Sequence, residues 1–220
     1  TSKHGLLTTI GYRIDGQVTY ALEGSGFVAG AAMQWLRDGL GLFGSSSEIE
    51  TFLAQRTQDD GLTFVPALTG LGAPHWDPLA RGALFGITRD TKQADLIAAA
   101  LSGVCSQTND LIIAMSNDGA GIAQIHVDGG MIVNDWFNQR LADICQHQVN
   151  RPVCTETTVQ GVAFLALYAT GLVQSLQALT GLIQLDQSWQ PQRSKVWALA
   201  QAKRWDLAIA ACRSVPVLEI

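Results

Sequence analysis

The most regular hydrophobic pattern in the chain follows Asp90, where Ile97, Ala100, Leu101, Val104, Cys105, Thr108, Leu111, Ile112 and Met115 recur at every third or fourth position. That spacing predicts a core helix of about seven turns. Asp90, with Gln93 three residues on, supplies a capping-box start, and Gly119 and Gly121 supply the stop. The chain opens differently. Residues 6–13 and 17–22 read as the strands of a hairpin around Asp15-Gly16, a pair suited to a type I′ turn. A helix is expected over residues 27–40 and, after Ser45, Ser46 and Ser47, another over 48–56 that Asp59-Asp60-Gly61 ends. Residues 62–66 read as a short buried strand.

Beyond the long helix, residues 123–127 form a strand pattern, and Asp128-Gly129-Gly130 turns the chain into a helix with Phe137, Leu141, Ile144 and Cys145 on one face. Residues 149–153 follow as a strand. Residues 158–173 are almost wholly apolar, which predicts a helix covered on both sides. Residues 184–193 read as a loop, and 195–213 as a last helix anchored by Trp197 and Trp205. No repeat, low-complexity tract or linker divides this order, so one α/β domain over residues 1–220 is the economical reading.

Composition narrows the partners. Of the 220 residues 47% are apolar and 15% charged, with a net charge of −5, enough for a sizeable core and without the basic face that nucleic acid needs. Acidic membrane surfaces are disfavoured for the same reason. No uninterrupted apolar run reaches the roughly 18 residues of a membrane span, and the start lacks a signal-peptide layout, so a cytosolic protein is expected. Cys105, Cys145, Cys154 and Cys212 lack Cys-x-x-Cys spacing and read as reduced thiols. His4, His75, His126 and His147 have no spacing that would set two ligands on one helical face, so no metal site is expected.

Three places invite chemistry. A strand ending in Gly129-Gly130 before a helix can bring backbone N–H groups close to an anion, although two glycines in such a turn can also be purely structural. Gly30 and Gln34 stand one helical turn apart, where a flat ligand could lie against the glycine while the amide reaches its polar edge. The alternative there is a close helix crossing at Gly30 and a solvated Gln34. Between Gly70 and Thr91, glycines and two prolines in fixed order make a shaped loop bearing His75, Trp76, Asp77 and Arg81. In that loop Asp77 and Arg81 are expected to pair or to cap backbone, with Trp76 packed beneath.

The segments SKHGLLTTIGY from Ser2, YALEGSGFVAGAAMQWLRD from Tyr20, GLGAPHWDPLARGALFGITRDT from Gly70 and VDGGMIVND from Val127 stand in an order that closely resembles the carboxy-terminal half of the FGGY family of carbohydrate kinases. HGLLTTIGY and GLGAPHWDPLARGA look most like its glycerol-phosphorylating branch. The resemblance implies an RNase H-like, actin-like ATPase fold: a mixed sheet flanked by helices, with the first central strand and the whole amino-terminal domain outside this chain. It departs from the family pattern at Ala98, where an arginine is common, and at Ser102, where an acid is. Val159-Gln160-Gly161-Val162-Ala163 also replaces an alanine-rich stretch.

The implied activity is ATP-dependent conversion of glycerol to sn-glycerol 3-phosphate. A pentulose or gluconate acceptor, or a non-catalytic module for assembly or regulation, are the alternatives. By resemblance Gly30, Gln34, Gly130 and Asn134 contact the nucleotide. The general base, the polyol contacts and most of the Mg²⁺ site belong to the amino-terminal half, so no catalytic or metal-binding residue is assigned here. The implied partners are ATP or ADP, Mg²⁺, that other half and a second copy in a homo-oligomer.

Overall fold

The structure, a computed structural model, describes residues 1–56 and 61–215. Asp59 and Asp60, expected to end the second helix, lie outside them. Strands β1 (Leu7–Ile14) and β2 (Gln17–Glu23) form the expected antiparallel hairpin. Asp15 and Gly16 both take positive φ, 50° and 79°, as a type I′ turn requires. The first helix begins later than expected. Ahead of it the chain lies against the proline and glycine loop: Ala73 N–H bonds Ser25 O at 2.9 Å, a Cβ on Gly72 would stand 2.0 Å from that same oxygen, and Phe27 meets Trp76 edge-on. Helix α1 spans Gly30–Gln34 and continues as a π-helix over Trp35–Gly39.

Helix α2 (Glu48–Ala54) follows, its Glu48 carboxylate accepting N–H bonds from Gly44 and Ser45. Strand β3 (Thr63–Val65) pairs antiparallel with β4 (Ala83–Phe85), which lies within the segment read as loop. The long helix α3 is Gln93–Asn117, with Lys92 rather than Asp90 as its N-cap. Its start moves because Thr88 and Thr91 close a turn around Asp90, while Asp95 accepts the Lys92 N–H at 2.9 Å. By length and composition α3 could cross a membrane. Here it is the central core helix, packed against α1, α2, β3 and the later helix α4 (Asp135–Cys145), with Ile97, Ala100 and Cys105 fully buried.

Strands β5 (Gln124–His126), β6 (Gln148–Pro152) and β7 (Leu185–Trp189) make a mixed sheet, parallel between β5 and β6 and antiparallel between β6 and β7. Residues 184–193 were expected as loop. Their strand, LDQSW, buries only Trp189 and so carries no alternating apolar signal. Three helices complete the chain: α5 (Thr157–Ala169), the short α6 (Leu176–Thr180) and α7 (Lys195–Ser214). In α7, Trp205 is buried, and Trp197 packs at the core margin with the Arg140 guanidinium over its ring.

The expectation that α5 is covered on both sides does not hold. None of its residues is buried, and Val159 and Val162 are 68% and 66% exposed. A helix apolar all round needs neighbours on every side, and among the described residues the outer layer is not there. Among the described residues β1 pairs only with β2 and β5 only with β6, so each also has an unpaired edge. Cys105, Cys145 and Cys212 are buried free thiols, and burial pushes Cys145 up to about 12. At the two helix positions that depart from the family pattern, Ala98 is buried and Ser102 Oγ accepts from Arg140 Nε at 2.9 Å.

Candidate functional site

A cavity of about 690 Å³ lies between α1, α2, α3, the end of β5 and the start of α4. Its floor is the core itself. Met33, Phe43, Ile49, Leu101, Val104 and Phe137 are all buried and all line it, which makes the floor apolar. Around the rim stand Gln34, Arg37, Ser46, Thr108, His126, Asp128 and Asn134. Apolar walls with a few convergent polar groups suit a small ligand with a planar apolar part and a polar end.

Gly30, Gln34, Gly130 and Asn134, far apart in sequence, all line this cavity. The close helix crossing weighed for Gly30 is absent: a Cβ there would come no nearer than 3.9 Å to any side chain, and that one is Met131. A Cβ on Gly130 would meet nothing within 4 Å. Neither residue has positive φ, so neither packing nor backbone geometry asks for glycine at these two places. Gly129 is different, its φ of 84° being the left-handed conformation that favours glycine.

The turn itself departs from the expected strand, glycine pair and helix. Between Gly129 and α4 the chain makes a 3-10 turn, Gly130–Val133, and only then does Asn134 cap α4 by accepting the Phe137 N–H at 2.8 Å. The amides of Gly130 and Met131 precede the first hydrogen bond of that turn, from Ile132 N–H to Gly129 O at 3.4 Å, as unpaired first-turn donors do. Asn134 thus has a structural duty that the sequence reading did not assign. Its Oδ1 serves the helix, leaving Nδ2 as the donor a ligand could use. Asp128, the carboxylate on the rim, is held by the Thr157 hydroxyl.

Arg37 lies at the mouth, its guanidinium held by Asp38 at 2.7 and 2.9 Å. The proline and glycine loop stands apart from the cavity, with none of its residues in the lining. Trp76 is more exposed than expected at 41%, meets Phe27 edge-on at 6.1 Å and donates its indole N–H to Gly5 O at 2.6 Å. Asp77 and Arg81 do not pair with each other. Asp77 accepts from Leu79 and Ala80 N–H and pairs with Arg213, while Arg81 donates to the carbonyls of Pro78 and Ala80. The floor residues escaped the sequence reading because a side chain that lines a cavity and one that fills a core carry the same apolar signal.

Known proteins resemble this chain closely. The model of the FGGY family of carbohydrate kinases, C-terminal domain, matches residues 1–170. A glycerol kinase of Marinomonas sp. is 50% identical over 213 residues, covering 97% of this chain and 43% of that protein. Glycerol kinase 1 of Pseudomonas aeruginosa is 48% identical, covering 94% of this chain and 41% of that protein. The chain therefore spans less than half the length of these relatives. Among solved structures, Plasmodium falciparum glycerol kinase with ADP superposes with a TM-score of 0.88 at 30% identity, over 99% of this chain and 43% of that one. A ligand-bound xylulose kinase from Lactobacillus acidophilus shares the fold, with a TM-score of 0.79 at 23% identity over 96% of this chain and 42% of that one.

Proposed function

This chain belongs to the FGGY family of carbohydrate kinases, and we propose that it is the nucleotide-side domain of an ATP-dependent kinase that converts glycerol to sn-glycerol 3-phosphate. The observation that carries this reading is the pair Gly30 and Gly130, whose missing Cβ atoms leave room in a cavity and serve no need of the fold. Adenosine would lie on the apolar floor against Gly30, with Gln34 at its polar edge. The phosphates would meet the amides at Gly130 and the Nδ2 of Asn134. Similarity to a glycerol kinase solved with ADP supports the nucleotide, and similarity near half identity to bacterial glycerol kinases supports the acceptor.

Phosphoryl transfer to an alcohol is chiefly positioning and charge stabilisation, with a carboxylate to take the hydroxyl proton. This chain contributes positioning of the nucleotide. The base and the glycerol contacts come, in this reading, from an amino-terminal half that would also cover α5 and the free edges of β1 and β5. Among the described residues no three His, Cys, Asp or Glu side chains gather as a metal site, so Mg²⁺ would reach this domain on the phosphates. Its chemistry there is to neutralise charge on the transferring group. The chain alone should not turn over glycerol, since positioning by both halves supplies roughly 7 to 11 kcal/mol of the barrier.

The test is calorimetric titration of Mg²⁺-ADP into this chain, beside Asn134→Ala and Gly130→Val. Saturable binding that both substitutions abolish is expected. A folded chain that binds no ADP, alone or with the amino-terminal half in trans, would overturn the reading.

A further inference from the structure

The turn that carries Gly130 and Asn134 is pinned at one atom. The carbonyl oxygen of Ile132 accepts from Asn138 Nδ2 at 2.7 Å and from Arg151 Nη1 at 2.9 Å, and Ile132 is 2% exposed. These two donors act differently. Asn138 sits on α4, which begins immediately after the turn, so its bond ties the turn to its own helix. Arg151 comes from β6, and its bond ties turn and helix to the sheet.

Arg151 is itself held from several sides. Its Nη1 also reaches Asp135 Oδ1 at 2.9 Å, its Nε reaches Asp186 Oδ2 at 2.7 Å, and its guanidinium lies 5.0 Å from the centre of the Trp189 ring. The side chain is 14% exposed. A planar fork with fixed donor directions can serve a carbonyl and two carboxylates together, which a lysine ammonium cannot do from the same place. Asp135 is fixed further by its own N–H, which donates to Glu50 Oε1 at 3.0 Å.

We propose that Arg151 is a positioning residue for the nucleotide: through the Ile132 carbonyl it holds the turn at residues 130–134 where its donors can meet the phosphates. The inference rests on the nucleotide reading above and deepens it, because it assigns the phosphate half of the site to a side chain that never enters the cavity. Arg151 fixes the turn before the ligand arrives, so binding need not pay to order it. The adenosine half is built on α1 and the core floor and meets the turn only at Met131, the side chain 3.9 Å from where a Cβ on Gly30 would stand.

The experiment compares Arg151→Gln and Arg151→Lys with the parent chain in two measurements. The first titrates ADP and, separately, adenosine. ADP affinity should fall about tenfold in Arg151→Gln, the loss a charge-assisted hydrogen bond carries, with adenosine affinity unchanged. Arg151→Lys, which keeps the charge facing Asp135 and Asp186, should show a smaller loss of the same selectivity. The second measurement is hydrogen exchange without ligand, where amides 130–134 should exchange faster in Arg151→Gln while those of α3 stay protected.

Equal loss for ADP and adenosine would mean general destabilisation and overturn the proposal. So would parental ADP affinity in folded Arg151→Lys and Arg151→Gln, or unchanged exchange at 130–134. A folded parent chain that binds neither ligand, alone or with the amino-terminal half in trans, would overturn the nucleotide reading instead, and the exchange measurement would still judge the hold of Arg151 on the turn.

Discussion

Trp205 donates its indole N–H to Asp110 Oδ2 at 2.8 Å, and this bond fastens α7 to the central helix. His75 Nε2 lies 3.0 Å from the same oxygen, so one carboxylate gathers α7, α3 and the proline loop. Trp205 is 3% exposed and the Asp110 side chain 12%, which leaves little water to replace a lost donor. Trp205→Phe keeps most of the packing and removes the N–H. It should cost about 1–3 kcal/mol, read as a lower urea midpoint at unchanged slope. Parental stability would show that packing alone holds α7.

Gly30→Ala and Gly130→Ala separate the needs of the fold from those of the ligand. A methyl group at either place meets no atom closer than 3.9 Å. Alanine lowers the entropy of the unfolded chain, so stability should stay level or rise by about 0.4–1 kcal/mol. ADP affinity should fall in both, because the methyl enters the cavity. A loss of stability comparable to a core mutation would mean that the glycines serve packing after all.

Asn134 has two ends, and substitution can address them one at a time. Asn134→Ala removes the Oδ1 that accepts the Phe137 N–H and should cost about 1 kcal/mol as a lost helix cap. Asn134→Asp keeps a cap acceptor but loses the amide donor and adds a negative charge beside the phosphates. It should match the parent in thermal midpoint and bind ADP far more weakly. If Asn134→Asp binds ADP as the parent does, Asn134 is a cap and nothing more.

What could be read from the chain depended on how each residue earns its place. The hairpin was legible because Asp15-Gly16 is demanded by turn geometry, and α3 because one face of a long helix must be apolar. Strand β7 was not, since four of its five positions face outward. Nor does local pattern show the contacts that precede α1, Ser25 O with Ala73 N–H and Phe27 with Trp76, each nearly fifty positions apart in sequence. At the site, the Gly129-Gly130 turn and the spacing of Gly30 and Gln34 raised candidates that local pattern left open, and the family resemblance singled out Gly30, Gln34 and Gly130 and added Asn134. Arg151 was invisible: an arginine on a short strand shows nothing of the carbonyl it will meet.

Asp118 should dominate the acid limb of stability in the opening segment. Its carboxylate accepts from the Ser2 hydroxyl, from Lys3 N–H at 2.8 Å and from the His4 ring at 2.8 Å, and these bonds hold it well below the usual carboxylate range. A depressed folded value means the contribution is fully present above the unfolded pKa, about 3.9, and is lost as pH falls through the lower folded value. Asp118→Asn should therefore lower stability at pH 7 and flatten its fall below pH 4. Thermal melts of both proteins between pH 2 and 7 check this, and parallel curves would contradict it.

The open face of α5 yields the prediction that bears most on the proposed amino-terminal half. Val159 and Val162 are exposed, yet this helix is apolar enough to belong inside a protein. Val162→Glu places a charge where the structure shows solvent, so the chain alone should keep its stability within about 0.5 kcal/mol, as surface substitutions do. If the amino-terminal half covers this face, the same charge would be buried there without a partner, a large cost. Val162→Glu should then fail to assemble with the amino-terminal half in trans while the parent succeeds, a difference that size-exclusion chromatography reads directly. Severe destabilisation of the chain alone would mean that α5 packs internally. Parental assembly by a folded Val162→Glu would place the other half elsewhere, and the cover of α5 would have to come from a second copy.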